Sequence, residues 1–347
     1  MKNRISLQRF IPSGVFLTII LIFMSWSMII LLGQENPFKV FFYIVQGFLG
    51  DSESLFSTFN KMFVFLLTAL AASIPAWTGM WNVGGDGQLI LGGFAAAWLA
   101  SLINTGVSIF NILIALLISA LAGGLWALWP AWLRVRWNVN EVVTTLMGNY
   151  LITLFTTYMV NFPLRAEGST WPRMEYIPGN YEINTIGNAG PSYTFIIGIL
   201  ILAAVEIIRR YCIAGYEYQI TGSNHIFSKQ GGIHVNNIRI QSMFIGGAFA
   251  GLAGGLLVLS LNKTFIAGFS PGYGNIGLLI SLISSNMPLV ILGIAFSFSA
   301  LQVGAINMQL STRIPAEITG VLQSIMVFFI AARKSLHFKV KAGGMDK

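Results

Sequence analysis

The chain has 347 residues, 55% of them hydrophobic and only 9% charged. Soluble domains carry about 25% charged residues, so too few charges remain to cover a water-facing globule. The 13% aromatic content excludes a disordered chain. A net charge of +8 could suit nucleic acid, but Lys and Arg fall in short segments between apolar runs. No basic stripe with interleaved aromatics is present, and no nucleic-acid partner is expected. One cysteine, Cys212, excludes an intrachain disulfide, and three histidines make a metal cage unexpected. The composition predicts an all-α, polytopic membrane protein.

A helix needs about 20 apolar residues to cross a bilayer. Ten candidates follow in chain order: 13–33, 57–79, 88–104, 107–132, 141–162, 193–210, 240–261, 275–286, 288–307 and 316–332. The first resembles a signal peptide, but it is long and no small-x-small site closes it, so it reads as a transmembrane helix. With ten spans and both termini inside, 14 Lys and Arg lie inside and six outside, in line with the positive-inside rule. This divides the chain into a cytoplasmic tail (1–12), a transmembrane domain (13–332) and a basic cytoplasmic tail (333–347). The outer loop 34–56 carries Phe38, Phe41, Phe42 and Ile44, a pattern for an interfacial helix. A second outer loop covers 163–192, and an inner loop covers 211–239.

The sequence lacks the P-loop pattern for ATP, His-Glu-x-x-His and Gly-x-Ser-x-Gly. No catalytic residue is identified. Only Asp86 falls at membrane depth on this map, whereas ion-coupled carriers usually bury carboxylates or break helices around the ion. Energy is therefore expected from another chain. A secondary carrier powered by an ion gradient is the alternative of another class. A membrane-embedded enzyme would need clustered His or acids at one depth, and the sequence shows none.

Four segments carry chemistry. Gly79–Gly93 holds six glycines and Asp86 between two apolar runs. It is either a tight cytosolic turn with Asp86 capping the third span, or a helix break lining a polar path. Asn82, Asp86 and Gln88 are its path candidates. Asn140-Glu141 is a helix start, which puts Asn149 and Tyr150 about two and a half turns into the fifth span. There they make an interhelical hydrogen bond or touch a substrate. Gly247, Gly251 and Gly255 repeat every four residues, a face for close helix packing. Phe269-Ser-Pro-Gly-Tyr-Gly-Asn-Ile-Gly277 precedes the half-length eighth span and suggests a re-entrant helix, which Asn286-Met-Pro288 turns back.

With these segments the chain resembles the permease subunit of bacterial ABC importers of the branched-chain amino acid, simple-sugar and nucleoside group. The likeness covers about residues 60–332. Asn82-Val-Gly-Gly-Asp-Gly-Gln88 is similar to the family's Asn-Ile-Gly-x-Glu-Gly-Gln, with Asp86 in place of Glu. Residues 140–150 match Asn-Glu-Val-Ile-x-Thr-Leu-Met-x-Asn-Tyr. Ser270-Pro-Gly-Tyr-Gly274, Asn286-Met-Pro288 and Arg313-Ile-Pro-Ala-Glu317 also fit. Residues 222–233 match in part a cytosolic Gly-x-Asn-x-x-Ala-Ala-x-x-x-Gly-Ile, with Phe227 and Ser228 in place of the alanines. The first two motifs are nearest the nucleoside-type subgroup.

The resemblance implies a multi-pass subunit of the bacterial plasma (inner) membrane working by alternating access. An extracytoplasmic binding protein would deliver a nucleoside, or a simple sugar or other small polar solute. A second permease subunit, identical or homologous, would complete the path. An ABC ATPase subunit would hold the ATP and Mg, leaving no cofactor on this chain. Gly222, Asn224, Phe227, Ser228, Lys229, Gly232 and Ile233 would form the ATPase coupling segment, and the surrounding partner is membrane lipid.

Overall fold

The computed structural model describes residues 36–186, 190–312 and 320. The proposed spans 13–33 and 316–332, both tails and the Arg313–Glu317 motif lie wholly or mainly outside them. Among the described residues every regular element is helical, apart from two isolated β-bridges. In chain order these are α1 (Pro37–Leu49), α2 (Ser52–Trp77), α3 (Gly85–Leu102), α4 (Ser108–Trp137), α5 (Glu141–Asn161) and α6 (Tyr193–Tyr211). There follow α7 (Ile213–Ser223), α8 (His225–Gln230), α9 (Val235–Leu257), α10 (Tyr273–Ile283) and α11 (Pro288–Ser311). Among the described residues four helices are long and apolar enough to cross a membrane: α2, α4, α9 with its π-helical extension to Asn262, and α11. The other described spans coincide with α3, α5, α6 and the short α10.

The chain divides into two units, residues 59–296 and the segments on either side. In the flanking unit, α1 starts at the N-cap Asn36, whose side chain accepts from the Phe38 amide. One face buries Val40 and Ile44 with Met308, while Phe38, Phe41 and Phe42 remain exposed. Asn307 donates to the Gly47 carbonyl at 2.6 Å and so ties this helix to α11 within the unit.

The larger unit is built around α9. Its Gly247, Gly251 and Gly255 lie on α4, against Gly123, Ala127 and Ser119. A Cβ on Gly247 would sit 2.5 Å from the Gly123 carbonyl oxygen, and one on Gly251 would overlap the Ser119 carbonyl. Only hydrogen side chains permit this approach, and close backbone packing is what drives helix association in lipid. The adjoining face of α9, with Gly254, lies equally close to Leu89 and Gly93 of α3. Above this seam Phe94, Ala115, Ile152, Leu256, Phe265 and Phe269 form one buried core.

Candidate functional site

The helical pattern fails between Trp77 and Gly85. Pro75 cannot donate to the helix ladder, and its carbonyl instead accepts from Thr78 and Met80. The chain then climbs back along α2 until Asn82 donates to the Ala71 carbonyl. Ala71 precedes Trp77 by six residues, about 9 Å of helix. Buried non-helical backbone needs partners from neighbouring groups, and the amides of Asn82 and Asn149 supply them, with Gln88 holding Asn82.

Asn82 and Gln88 form a reciprocal pair, each donating to the other at 2.9 Å. The oxygen of Asn82 also accepts from the Gly84 amide, so all four of its hydrogen-bonding positions are filled. Both side chains are buried. Asn149 reaches across from α5, accepting from the Gly87 amide at 2.8 Å and donating to the Val83 carbonyl at 3.0 Å. It stands eight residues into α5, about 12 Å along a helix of about 31 Å. The break lies beside that point, well along the length of α5. α5 itself begins as read from the sequence, with Asn140 as N-cap and buried Glu141 paired to Arg134.

Asp86 occupies the first turn of α3, whose N-cap is Gly84, not Asp86. Its carboxylate serves another helix. Oδ1 accepts from the Ser270 hydroxyl at 2.6 Å and from the Gly274 amide at 2.9 Å. Gly274 is in the first turn of α10, whose own N-cap, Gly272, has no side chain to offer. Asp86 is therefore an N-cap supplied from a distant part of the chain, its charge set against the positive ends of two helix dipoles. A Cβ on Gly274 would overlap the Asp86 backbone, so the two helix starts touch.

From Asp86, α10 runs beside α2. Tyr273 packs edge-on to Phe65, and Ser281 bonds Ser73 at 2.8 Å. Its 11 residues span about 16 Å, half a bilayer core. It ends in a turn with Ser285 and Asn286 in left-handed conformation. The Asn286 carbonyl accepts from the Trp77 indole at 2.8 Å, and its side chain accepts from Ser281.

A cavity of about 130 Å³ opens on Asp86. It is lined by Thr153, Thr156 and Thr157 of α5 and by the segment from Phe265 to Ser270. Oδ2 of Asp86 has no protein partner among the described residues. Thr153 and Thr156 donate their hydroxyl protons to carbonyls one turn back, leaving their lone pairs as acceptors. Phe265 and Phe269 stack at 4.7 Å beside them. This wall is acceptor-rich and suits a solute that brings hydroxyl or N–H donors. The threonine spacing and Ser270 were visible in the sequence, but nothing there tied them to Asp86. Tyr150 is 72% exposed and does not line the cavity.

The inner loop folds into α7 and α8. Gly222 rests on the Trp77 carbonyl, and a Cβ there would overlap it. Asn224 caps α8, accepting from the Phe227 amide at 3.0 Å. Ser228 is fully buried and donates to the Asn224 carbonyl. Ile226 and Phe227 are exposed beside Lys229, and Gly232 adopts a left-handed turn before the half-buried Ile233. Every residue of α8 except Ser228 is exposed, with Ile226 and Phe227 as its apolar surface and Lys229 beside them.

A family model described as branched-chain amino acid transport system / permease component matches residues 54–331. The guanosine ABC transporter permease protein NupP of Bacillus subtilis is 27% identical over 319 residues, 86% of this chain and 88% of its own length. The nucleoside ABC transporter permease protein NupB of Lactococcus lactis is 28% identical over 321 residues, 90% and 88% of the two chains. A glucose ABC transporter permease protein of Haloferax volcanii is 26% identical over 277 residues, 76% and 72% of the two.

Proposed function

The chain belongs to the family of branched-chain amino acid transport system permease components, and on that premise we propose that it is the transmembrane subunit of an ATP-binding-cassette importer for a nucleoside. It works in the bacterial plasma membrane with an ABC ATPase, a second permease chain and an extracytoplasmic binding protein. The ATP and Mg belong to the ATPase, and this chain breaks no bond.

The observation that carries this reading is the helix break around Asp86. Asn82, Gln88 and Asn149 spend their amides on one another and on the broken backbone, so they hold the path open without contacting the solute. Asp86 Oδ2 and the threonine oxygens then accept from ribose hydroxyls, and the base lies toward Phe265 and Phe269. Ligand sites usually enclose about 300–1,000 Å³. A cavity of about 130 Å³ holds only part of a nucleoside, which supports a path completed by the second permease.

Coupling runs through α10. The exposed Ile226 and Phe227 of α8 seat in the ATPase, and Gly222 passes the movement to Trp77. The Trp77 indole holds Asn286 at one end of α10, and Gly274 meets Asp86 at the other. A sugar as cargo is the second reading, favoured by the glucose permease relative, because its hydroxyls meet the same acceptors. Uptake of labelled nucleosides and sugars tests both, in cells with and without the chain, under ATP depletion or under an uncoupler that spares ATP. Nucleoside uptake lost on deletion and on ATP depletion is expected. Uptake that survives ATP depletion and dies with the ion gradient would overturn the ABC reading in favour of a secondary carrier.

A further inference from the structure

A second cavity lies at the other end of α6 from the outer loops, on the side that the Lys and Arg distribution assigns to the cytoplasm. Its volume is about 560 Å³, and Arg209, Arg210, Tyr216, Gln219, Ser223 and Trp77 line it. From this cavity we infer a binding site for the headgroup of an anionic phospholipid of the inner leaflet.

The site is built. Glu206 is buried one turn before the helix end and holds both guanidinium groups. Arg209 meets it with two hydrogen bonds, at 2.8 and 2.9 Å, and Arg210 through Nε alone. One acid against two bases leaves a surplus positive charge. Both Nη groups of Arg210 and Nη1 of Arg209 lack a partner among the described residues, and they are the free donors. The opposite wall is α7, folded back so tightly that a Cβ on Gly215 would sit 2.6 Å from the Arg209 Cα. Gln219 fixes this fold by donating to the carbonyls of Arg209 and Gly215.

The surroundings point to a lipid as the source of the anion. Ile207, Ile208 and Tyr211 on the last turns of α6 and Ile213 at the start of α7 are exposed, Tyr211 and Ile213 by 79% and 78%. Exposed apolar residues and tyrosines on the same helix end as basic groups are the composition of a membrane–water interface. Guanidinium donors match phosphate oxygens in geometry as well as charge, and the acyl chains would lie along the apolar side chains of α6.

The test uses the purified full-length chain, stripped of lipid and offered equal amounts of phosphatidylglycerol and phosphatidylcholine, with bound lipid read by native mass spectrometry. Phosphatidylglycerol is expected to be retained selectively. Arg210→Gln should lower that selectivity about fivefold, as expected for one basic residue near an anionic surface. Arg210→Lys should restore part of it. Arg136→Gln, at another exposed inner arginine, should leave it unchanged. Arg209 stays to pair Glu206, so Arg210→Gln keeps the buried acid neutralised. Equal loss in Arg136→Gln would overturn the site in favour of bulk charge. Competition by millimolar inorganic phosphate as effective as that by phosphatidylglycerol would mean a soluble anion instead. Loss of the lipid when the ATPase chain is added would make this a protein contact and equally overturn the inference.

Discussion

Glycine does opposite work in two regions of the larger unit. Along α9 it lets helices touch, and between Trp77 and α3 it lets the chain leave the helix. The difference lies in the neighbours. Around Gly247, Gly251 and Gly255 the flanking residues are apolar or small, and the backbone stays hydrogen-bonded within its own helix. Around Gly84, Gly85 and Gly87 stand Asn82, Asp86 and Gln88, with Asn149 opposite; Asn82 and Asn149 supply bonds that the helix gives up, and Gln88 holds Asn82. The seam needs only the absence of side chains, and the break needs specific polar ones. Substitutions should therefore fail differently in the two places.

The largest effect is expected at the seam. Gly251→Leu forces a side chain into the Ser119 carbonyl. Overpacking a core typically costs about 1–3 kcal/mol, and a backbone collision with no room to yield lies at or above the top of that range. Monodisperse protein recovered in detergent should fall to a small fraction of wild type. Normal recovery would show that the α4–α9 contact is dispensable.

At the break, function should fail before folding does. Asp86→Asn keeps the shape and the bond to Gly274 but removes the charge. Hydrogen bonds to charged groups are worth about 1.5–3 kcal/mol, so uptake should drop about 10- to 100-fold with recovery near wild type. Loss of recovery with uptake per molecule unchanged would make Asp86 a cap alone.

The amide pair should show the smallest and most local effect. Asn82→Ala or Gln88→Ala leaves a buried partner unsatisfied, at about 1–3 kcal/mol each. The double variant should cost little more than the worse single one. Additive losses in thermal denaturation would mean that the two amides act independently.

Much of the secondary structure was legible because the apolar runs are long, and some carry their own start signal, as Asn140-Glu141 does for α5. The four-residue glycine spacing was legible too, since a helix face repeats at that period. The partners of the Asp86 segment were not. Capping a surface turn and lining a path call for the same residue types, and the groups that decide are remote in sequence. Ser270 lies 184 positions away, and Asn149 meets Gly87 across 62. The orientation of α8 was also hidden. Ser228 and Phe227 are neighbours in one motif, yet one is buried and the other exposed. A six-residue helix is too short for periodicity to assign its faces.

The most direct measurement is the accessibility of position 86. In a Cys212→Ser background, Asp86→Cys is labelled with a membrane-impermeant thiol reagent applied to the cytoplasmic face, beside Lys229→Cys as a surface control. Asp86→Cys should react at least tenfold more slowly than Lys229→Cys, with a further slowing on addition of the transported solute. Labelling as fast as at position 229, indifferent to solute, would place the segment on the cytosolic surface and contradict a path through the break.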